Sequence, residues 1–111
     1  MRRIEYSPWF DADFQIRAAW YLERAGLDIA DQFVRAVEAT VRRLEANPPL
    51  GRRPFPLDPI LAELHSVLVE KPFAKHVLFY RLSDECLTLE RLIHGARDLP
   101  RRITESPYDA T

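Results

Sequence analysis

Residues 72–100 read PFAKHVLFYRLSDECLTLERLIHGARDLP, and this stretch decides the fold. Two short apolar runs, Val77–Leu82 and Leu87–Ile93, flank the polar turn Ser83-Asp84-Glu85-Cys86. Short runs of Val, Leu, Ile, Phe and Tyr around a polar turn predict a β-hairpin with a loop of about four residues. In the first run Leu78 and Tyr80 share one face while Val77 and Phe79 share the other. A strand apolar on both faces is covered on both, so it belongs near the middle of a sheet. The second run ends in His94-Gly95-Ala96-Arg97-Asp98-Leu99-Pro100, a change from apolar strand to polar loop where functional residues concentrate.

Upstream, Ile4 and Tyr6 alternate with Arg3 and Glu5, predicting a short strand over 2–6. Ser7-Pro8 starts a helix, with Ser7 as N-cap and Pro8 where its missing N–H costs nothing. Asp11 and Asp13 suit the positive end of that helix. Phe10 with Phe14, and Ile16 with Trp20, are expected to stack along its buried side. Gly26 stops it. A second helix follows, with Asp28 as its expected N-cap. Ala30, Phe33, Val34, Val37, Val41 and Leu44 form its apolar stripe, and Asn47-Pro48-Pro49 ends it. So tight a connection makes the helices an antiparallel hairpin.

Residues 48–59 carry five of the nine prolines and form a loop. Further strands are expected near 64–69, 74–82 and 87–94, and one helical turn over Leu99–Ile103. The fold class is α+β, in the order β-α-α-β-β-β, with the helical hairpin on a small twisted antiparallel sheet. Residues 1–111 read as a single domain with a frayed tail over 105–111.

Composition narrows the function classes. The chain is 47% hydrophobic and 30% charged, ordinary for a soluble globular domain. No apolar run approaches the roughly 18 residues of a membrane span, and the N-terminus has no secretory pattern. The single cysteine, Cys86, cannot form an internal disulfide and fits a reducing cytoplasm. Net charge is −1, and residues 1–50 hold 7 basic and 8 acidic side chains against 9 and 9 in residues 51–111. Neither half has the basic excess of a nucleic-acid binder, so direct sequence-specific nucleic-acid binding is not expected.

There is no phosphate loop and no nucleophile elbow. His65, His76, His94 and Cys86 match no structural zinc spacing, so neither metal nor cofactor is expected. The chemically interesting set is Arg81, Arg91, His94, Arg97 and Asp98. In one reading the arginines flank the sheet and Asp98 pairs with one of them. In the other they form an anion-recognition surface, because guanidinium matches carboxylate and phosphate bidentately.

Several segments together resemble the ParE branch of the RelE/ParE toxins, the toxic halves of type II toxin–antitoxin modules. Ala12-Asp13-Phe14 with Tyr21 is similar to the first-helix signature of that family, and Ala30 with Phe33 to that of the second helix. Asn47-Pro48-Pro49-Leu50-Gly51-Arg52 is similar to its Pro-x-x-Gly-Arg loop. Val77–Arg81 and Arg91–Asp98 carry the most specific likeness. One departure is His65, which comes after Glu63-Leu64 where the family often has arginine.

The resemblance implies a ParD-like antitoxin partner and, for ParE-like members, poisoning of DNA gyrase by binding rather than catalysis. The target-binding surface is then Arg81, Arg91, His94, Arg97 and Asp98, with Arg101 and Arg102 adjoining. For RelE-like members it implies ribosome-dependent cleavage of messenger RNA, for which Arg81, His94 and Arg97 would be the catalytic set. A non-toxic antitoxin-binding module is the third reading.

Overall fold

The computed structural model of the chain describes residues 2–108. The elements are β1 (Arg3–Tyr6), α1 (Pro8–Ala25), α2 (Leu27–Ala46), β2 (His65–Leu68), β3 (His76–Leu82), β4 (Cys86–His94) and α3 (Leu99–Ile103), with one 3₁₀ turn at Pro48–Leu50. The sheet order is β1-β4-β3-β2, so the two strands of the hairpin lie in the middle. β2, β3 and β4 form the expected antiparallel meander. β1 differs. It pairs with β4 in parallel, which makes the sheet mixed. The reason is topological: α1 and α2 carry the chain out and back, so β2 runs the way β1 does. Two reversals later β4 does so as well, and the long crossover meets the requirement of a parallel pair.

Local chemistry sets the helix boundaries. The Ser7 hydroxyl accepts from the Phe10 N–H at 3.0 Å, and Pro8 opens α1. Gly26 separates the helices at φ 93°, a left-handed conformation that favours glycine. It also occupies the N-cap of α2, so Asp28 lies inside the first turn instead of capping it. Phe14 and Tyr21 of α1 both pack on Phe33 of α2.

Each face of the sheet has its own core. On one, Phe10 of α1 and Phe33, Val37, Val41 and Leu44 of α2 pack on Leu78, Tyr80, Leu87, Leu89 and Leu92. On the other, Leu61, Leu64 and Ile103 pack on Phe79 and Ile93, with Phe55, Val77 and Leu99 at the margin. Ile16 and Trp20 do not join the buried side as expected: both are exposed, at 45% and 40%. Their positions lie along the side of α1 away from Phe33.

A β-bulge shapes the centre. Phe79 pairs with Arg91 and Tyr80 with Leu89, so Glu90 is the extra residue. The bulge inverts the alternation of β4. Leu87, Leu89 and then Leu92 face the helices, and Arg91 and Ile93 face the other way.

The proline-rich loop is tied down by Tyr80. Its hydroxyl accepts from the Gly51 N–H and donates to the Pro48 carbonyl, both at 2.8 Å. Gly51 is required by close approach, since a Cβ there would lie 2.6 Å from both the Ser66 carbonyl oxygen and the Tyr80 hydroxyl. The expected fraying of 105–111 is not what residues 105–107 show. The Glu105 carbonyl accepts from Arg91 at 2.6 Å, and Pro107 is buried. Residues 109–111 lie outside the described residues.

Candidate functional site

Arg91 sits at the bulge, and its guanidinium is fully committed. Nε and Nη2 donate to Asp13 Oδ2 and Oδ1 at 2.7 and 2.9 Å. Nη1 donates to the carbonyls of Arg102, Ile103 and Glu105 at 2.9, 2.8 and 2.6 Å. Asp13 Oδ2 also accepts from the Leu92 N–H at 2.9 Å, beside the bulge. Trp9 covers the guanidinium, with its ring centre 5.1 Å away. The two side chains are only 5% and 8% exposed. Arg91 is therefore not the surface anchor that its sequence position suggests. It fastens α1 and the end of α3 to the sheet. Asp13 likewise is more than a helix-dipole residue, because it is the counterion of this joint.

Arg81 is set apart from the rest of the expected set. Its Nε lies 3.6 Å from Glu90, and Nη2 donates to the Ile60 carbonyl at 3.3 Å. Arg81 pairs with Thr88, whereas His94 pairs with His76, five residues back along β3. That separation is about 17 Å along the strand. Arg81 borders a groove of about 550 Å³, also lined by Trp9, Ile60, Leu61, Leu64 and Ile103. Of these, Ile60 is 70% exposed.

The other members gather where β4 ends. Gly95 turns the chain at φ 88°, and its N–H donates to the Lys75 carbonyl at 2.8 Å. Arg102 braces the loop: Nη2 donates to the His94 carbonyl at 2.7 Å and Nη1 to the Arg97 carbonyl at 3.0 Å. Asp98 is left-handed at φ 53° and lies 3.5 Å from Arg101, which also pairs with Glu105. His94, Arg97, Asp98 and Arg101 are exposed.

Beneath them lies a histidine pair, with rings of His76 and His94 4.8 Å apart. His76 Nδ1 is 3.0 Å from the Phe73 carbonyl, which can only accept, so that nitrogen carries the proton. Nε2 then accepts from the Tyr21 hydroxyl at 3.3 Å. Burial pushes the pKa of His76 down to about 4, reinforced by His94 and Arg17 against the opposing Phe73 bond. Partial burial also lowers His94, with further lowering from the charges of Arg17, Lys75 and Arg102.

Sequence reasoning passed over Arg17 and Lys75 at this site. A signal for Arg17 was available: it lies four residues after Asp13 and three before Trp20, on one helical face.

The residues weighed as metal ligands do not converge. His65 stacks on Tyr80, with ring centres 5.2 Å apart. Cys86 lies at the far end of β4 from His94, where it contacts Arg3 and Glu5. Among the described residues, no group of three His, Cys, Asp or Glu side chains could hold a metal ion. Among the described residues no helix is long and apolar enough to cross a membrane.

A helical hairpin on one face of a small mixed sheet is an α+β fold that this chain shares with solved structures. The family described as the ParE toxin of type II toxin–antitoxin system, parDE, matches residues 4–99, and the chain belongs to it. It is 29% identical over 82 residues to Toxin ParE1 of Mycobacterium tuberculosis, covering 73% of this chain and 76% of that protein. Its fold is similar to that in the chromosomal ParDE system of P. aeruginosa. The TM-score is 0.70 at 14% identity, over 86% of this chain and 98% of the other. YafQ from E. coli strain BL21(DE3) is similar at a TM-score of 0.55 and 23% identity, over 90% and 98%. A solved DinJ–YafQ complex from E. coli is also similar, with a TM-score of 0.51 at 23% identity over 85% and 93%.

Proposed function

We propose that this toxin halts growth by binding and poisoning DNA gyrase in the cytoplasm, and that a cognate, ParD-like antitoxin neutralises it. Membership of the parDE toxin family supports the toxin role, and the ParDE and DinJ–YafQ assemblies among its structural relatives support an antitoxin partner. The observation that carries binding over catalysis is the separation of the would-be nuclease set. A metal-independent ribonuclease needs its acid, base and phosphate-binding cations around one scissile bond. Here Arg81 is about 17 Å along the sheet from His94. The net charge of −1 also suits a protein target better than a ribosomal RNA surface.

The target-binding surface in this reading is the exit loop and α3: His94, Arg97, Asp98, Arg101 and Arg102. Arginines are frequent interface anchors, and truncating a good one costs more than about 2 kcal/mol of binding. The apolar groove beside Trp9 and Ile60 suits an antitoxin segment laid on the face opposite the helices.

The test adds purified protein to gyrase with plasmid DNA, and separately to translating ribosomes. Inhibition of supercoiling with broken DNA is the expected result. Arg97→Ala with Arg101→Ala should weaken it while the domain stays folded, and His94→Gln, which keeps a polar donor, should retain most of it. Site-specific messenger cuts with untouched supercoiling would refute the proposal.

A further inference from the structure

Arg17 projects from α1 towards the end of β4, where it meets His94 and Arg102 in one small pocket. It is half-buried, and its guanidinium lies 4.9 Å from the centre of the Trp20 ring. Among the described residues Arg17, Lys75 and Arg102 form no ion pair. The hydrogen bonds of Arg102 go to carbonyls, which fix its guanidinium without neutralising it. Desolvation lowers the pKa of Arg17 against an opposing pull from Tyr21, and the charge of Arg102 adds to the lowering. Like charges held together in partial burial without a counterion are unfavourable, and an anion placed among them relieves that cost.

The pocket is sized for one such group. Its volume is about 80 Å³, room for a carboxylate or a few waters. Two carboxylates border it, but both are taken: Asp13 by Arg91 and Glu105 by Arg101. Ile16 supplies an apolar wall.

We propose that Arg17, His94 and Arg102, with Lys75 alongside, form an anion-recognition pocket for the carboxylate of an acidic segment on the toxin's protein target. The pocket itself stands on this geometry, and only the source of the segment rests on the gyrase reading above. A protein carboxylate fits better than a nucleic-acid strand for two reasons. Trp20 already seats the guanidiniums of Arg17 and Arg24, at 4.9 and 5.3 Å, so it offers no bare face for a base. The net charge of −1 also gives the chain no overall basic excess to hold successive phosphates.

The test titrates a blocked hexaglutamate peptide, and separately the oligonucleotide dT6, into the intact chain at low salt, with tryptophan fluorescence as readout. The peptide should bind more tightly than dT6. Arg17→Gln should weaken peptide binding tenfold or more and leave Tm unchanged or raised, because it relieves repulsion. Arg35→Gln removes the same charge from the exposed pair with Asp31 on α2 and should leave binding unchanged. In the supercoiling assay Arg17→Gln should raise the half-inhibitory concentration by a similar factor.

Equal losses from the two substitutions would show general electrostatics and overturn the pocket, as would tighter binding of dT6. Undiminished gyrase inhibition by Arg17→Gln would overturn the proposal while the gyrase reading survived. If the parent protein does not inhibit gyrase at all, that reading fails, and the peptide titration still decides the pocket.

Discussion

Arg91→Met keeps much of the buried volume and removes every polar contact of the guanidinium. Two hydrogen bonds to Asp13 and three to backbone carbonyls disappear. The carboxylate of Asp13, 8% exposed, would keep only the Leu92 N–H. Removing one partner of a buried ion pair costs about 3–5 kcal/mol, because the other charge is stranded. For a domain of 111 residues each kcal/mol lowers Tm by about 4 °C, so a fall of roughly 12–20 °C is expected. Urea unfolding of the isolated chain, monitored by circular dichroism, measures the same loss as a lower midpoint at constant m-value. Asp13→Leu combined with Arg91→Met should destabilise by less than the sum of the single changes, since no unpaired charge remains. Were Arg91 a target anchor instead, the single variant would melt within about 3 °C of the parent, under 1 kcal/mol, and lose binding. That result would refute the structural assignment.

His76 makes stability depend on pH. Its folded pKa of about 4 lies below the ordinary 6.5, so the unfolded chain takes up the proton first. Stability should be full above pH 6.5 and fall as pH drops towards 4, by roughly 2–3 kcal/mol; urea midpoints across that window should show it, and His76→Gln should flatten most of the slope. Gly51→Ala should cost about 2–3 kcal/mol, since the new Cβ would meet the Ser66 carbonyl and the Tyr80 hydroxyl at 2.6 Å. Gly95→Ala meets nothing closer than 3.8 Å, so left-handed strain alone should cost about 1–2 kcal/mol in the same thermal melts. Tyr80→Phe deletes the hydroxyl between Gly51 and Pro48 and should cost about 1–3 kcal/mol, with faster amide exchange at Gly51.

The elements themselves were legible because each carries a local signal. The alternation in β3, the stripe on α2, the Ser7-Pro8 start and the Gly26 stop act over a few residues of sequence. The parallel pairing of β1 with β4 was not legible, because it is a long-range choice that no local pattern encodes. The main error at the site has a single physical origin. An arginine reads in isolation as a surface residue, and nothing nearby announces the bulge at Glu90 that sets Arg91 against Asp13 and the end of α3. Its partner Asp13 lies 78 residues away and looks, in isolation, like an ordinary first-turn acid. The exposure of the exit loop was legible, since a strand that gives way to Gly95, Ala96, Arg97 and Asp98 leaves those side chains at the surface.

The arginines of the exit region thus divide by what neutralises them. Arg91 has a carboxylate and a shell of carbonyls, and it holds α1, β4 and α3 in register. Arg102 has carbonyls alone, and Arg17 has an aromatic ring alone. A carbonyl or a ring orients a guanidinium but leaves its charge in place, and a positioned, unneutralised charge is what recognises an anion. The buried joint is what gives that exposed charge a fixed position. Through Asp13 it sets α1, and so Arg17, against the strand that leads to His94, while its carbonyl contacts anchor the helix that carries Arg102. Loosening Arg91 should accordingly degrade binding in a pocket that Arg91 borders, although its own charge is spent on Asp13.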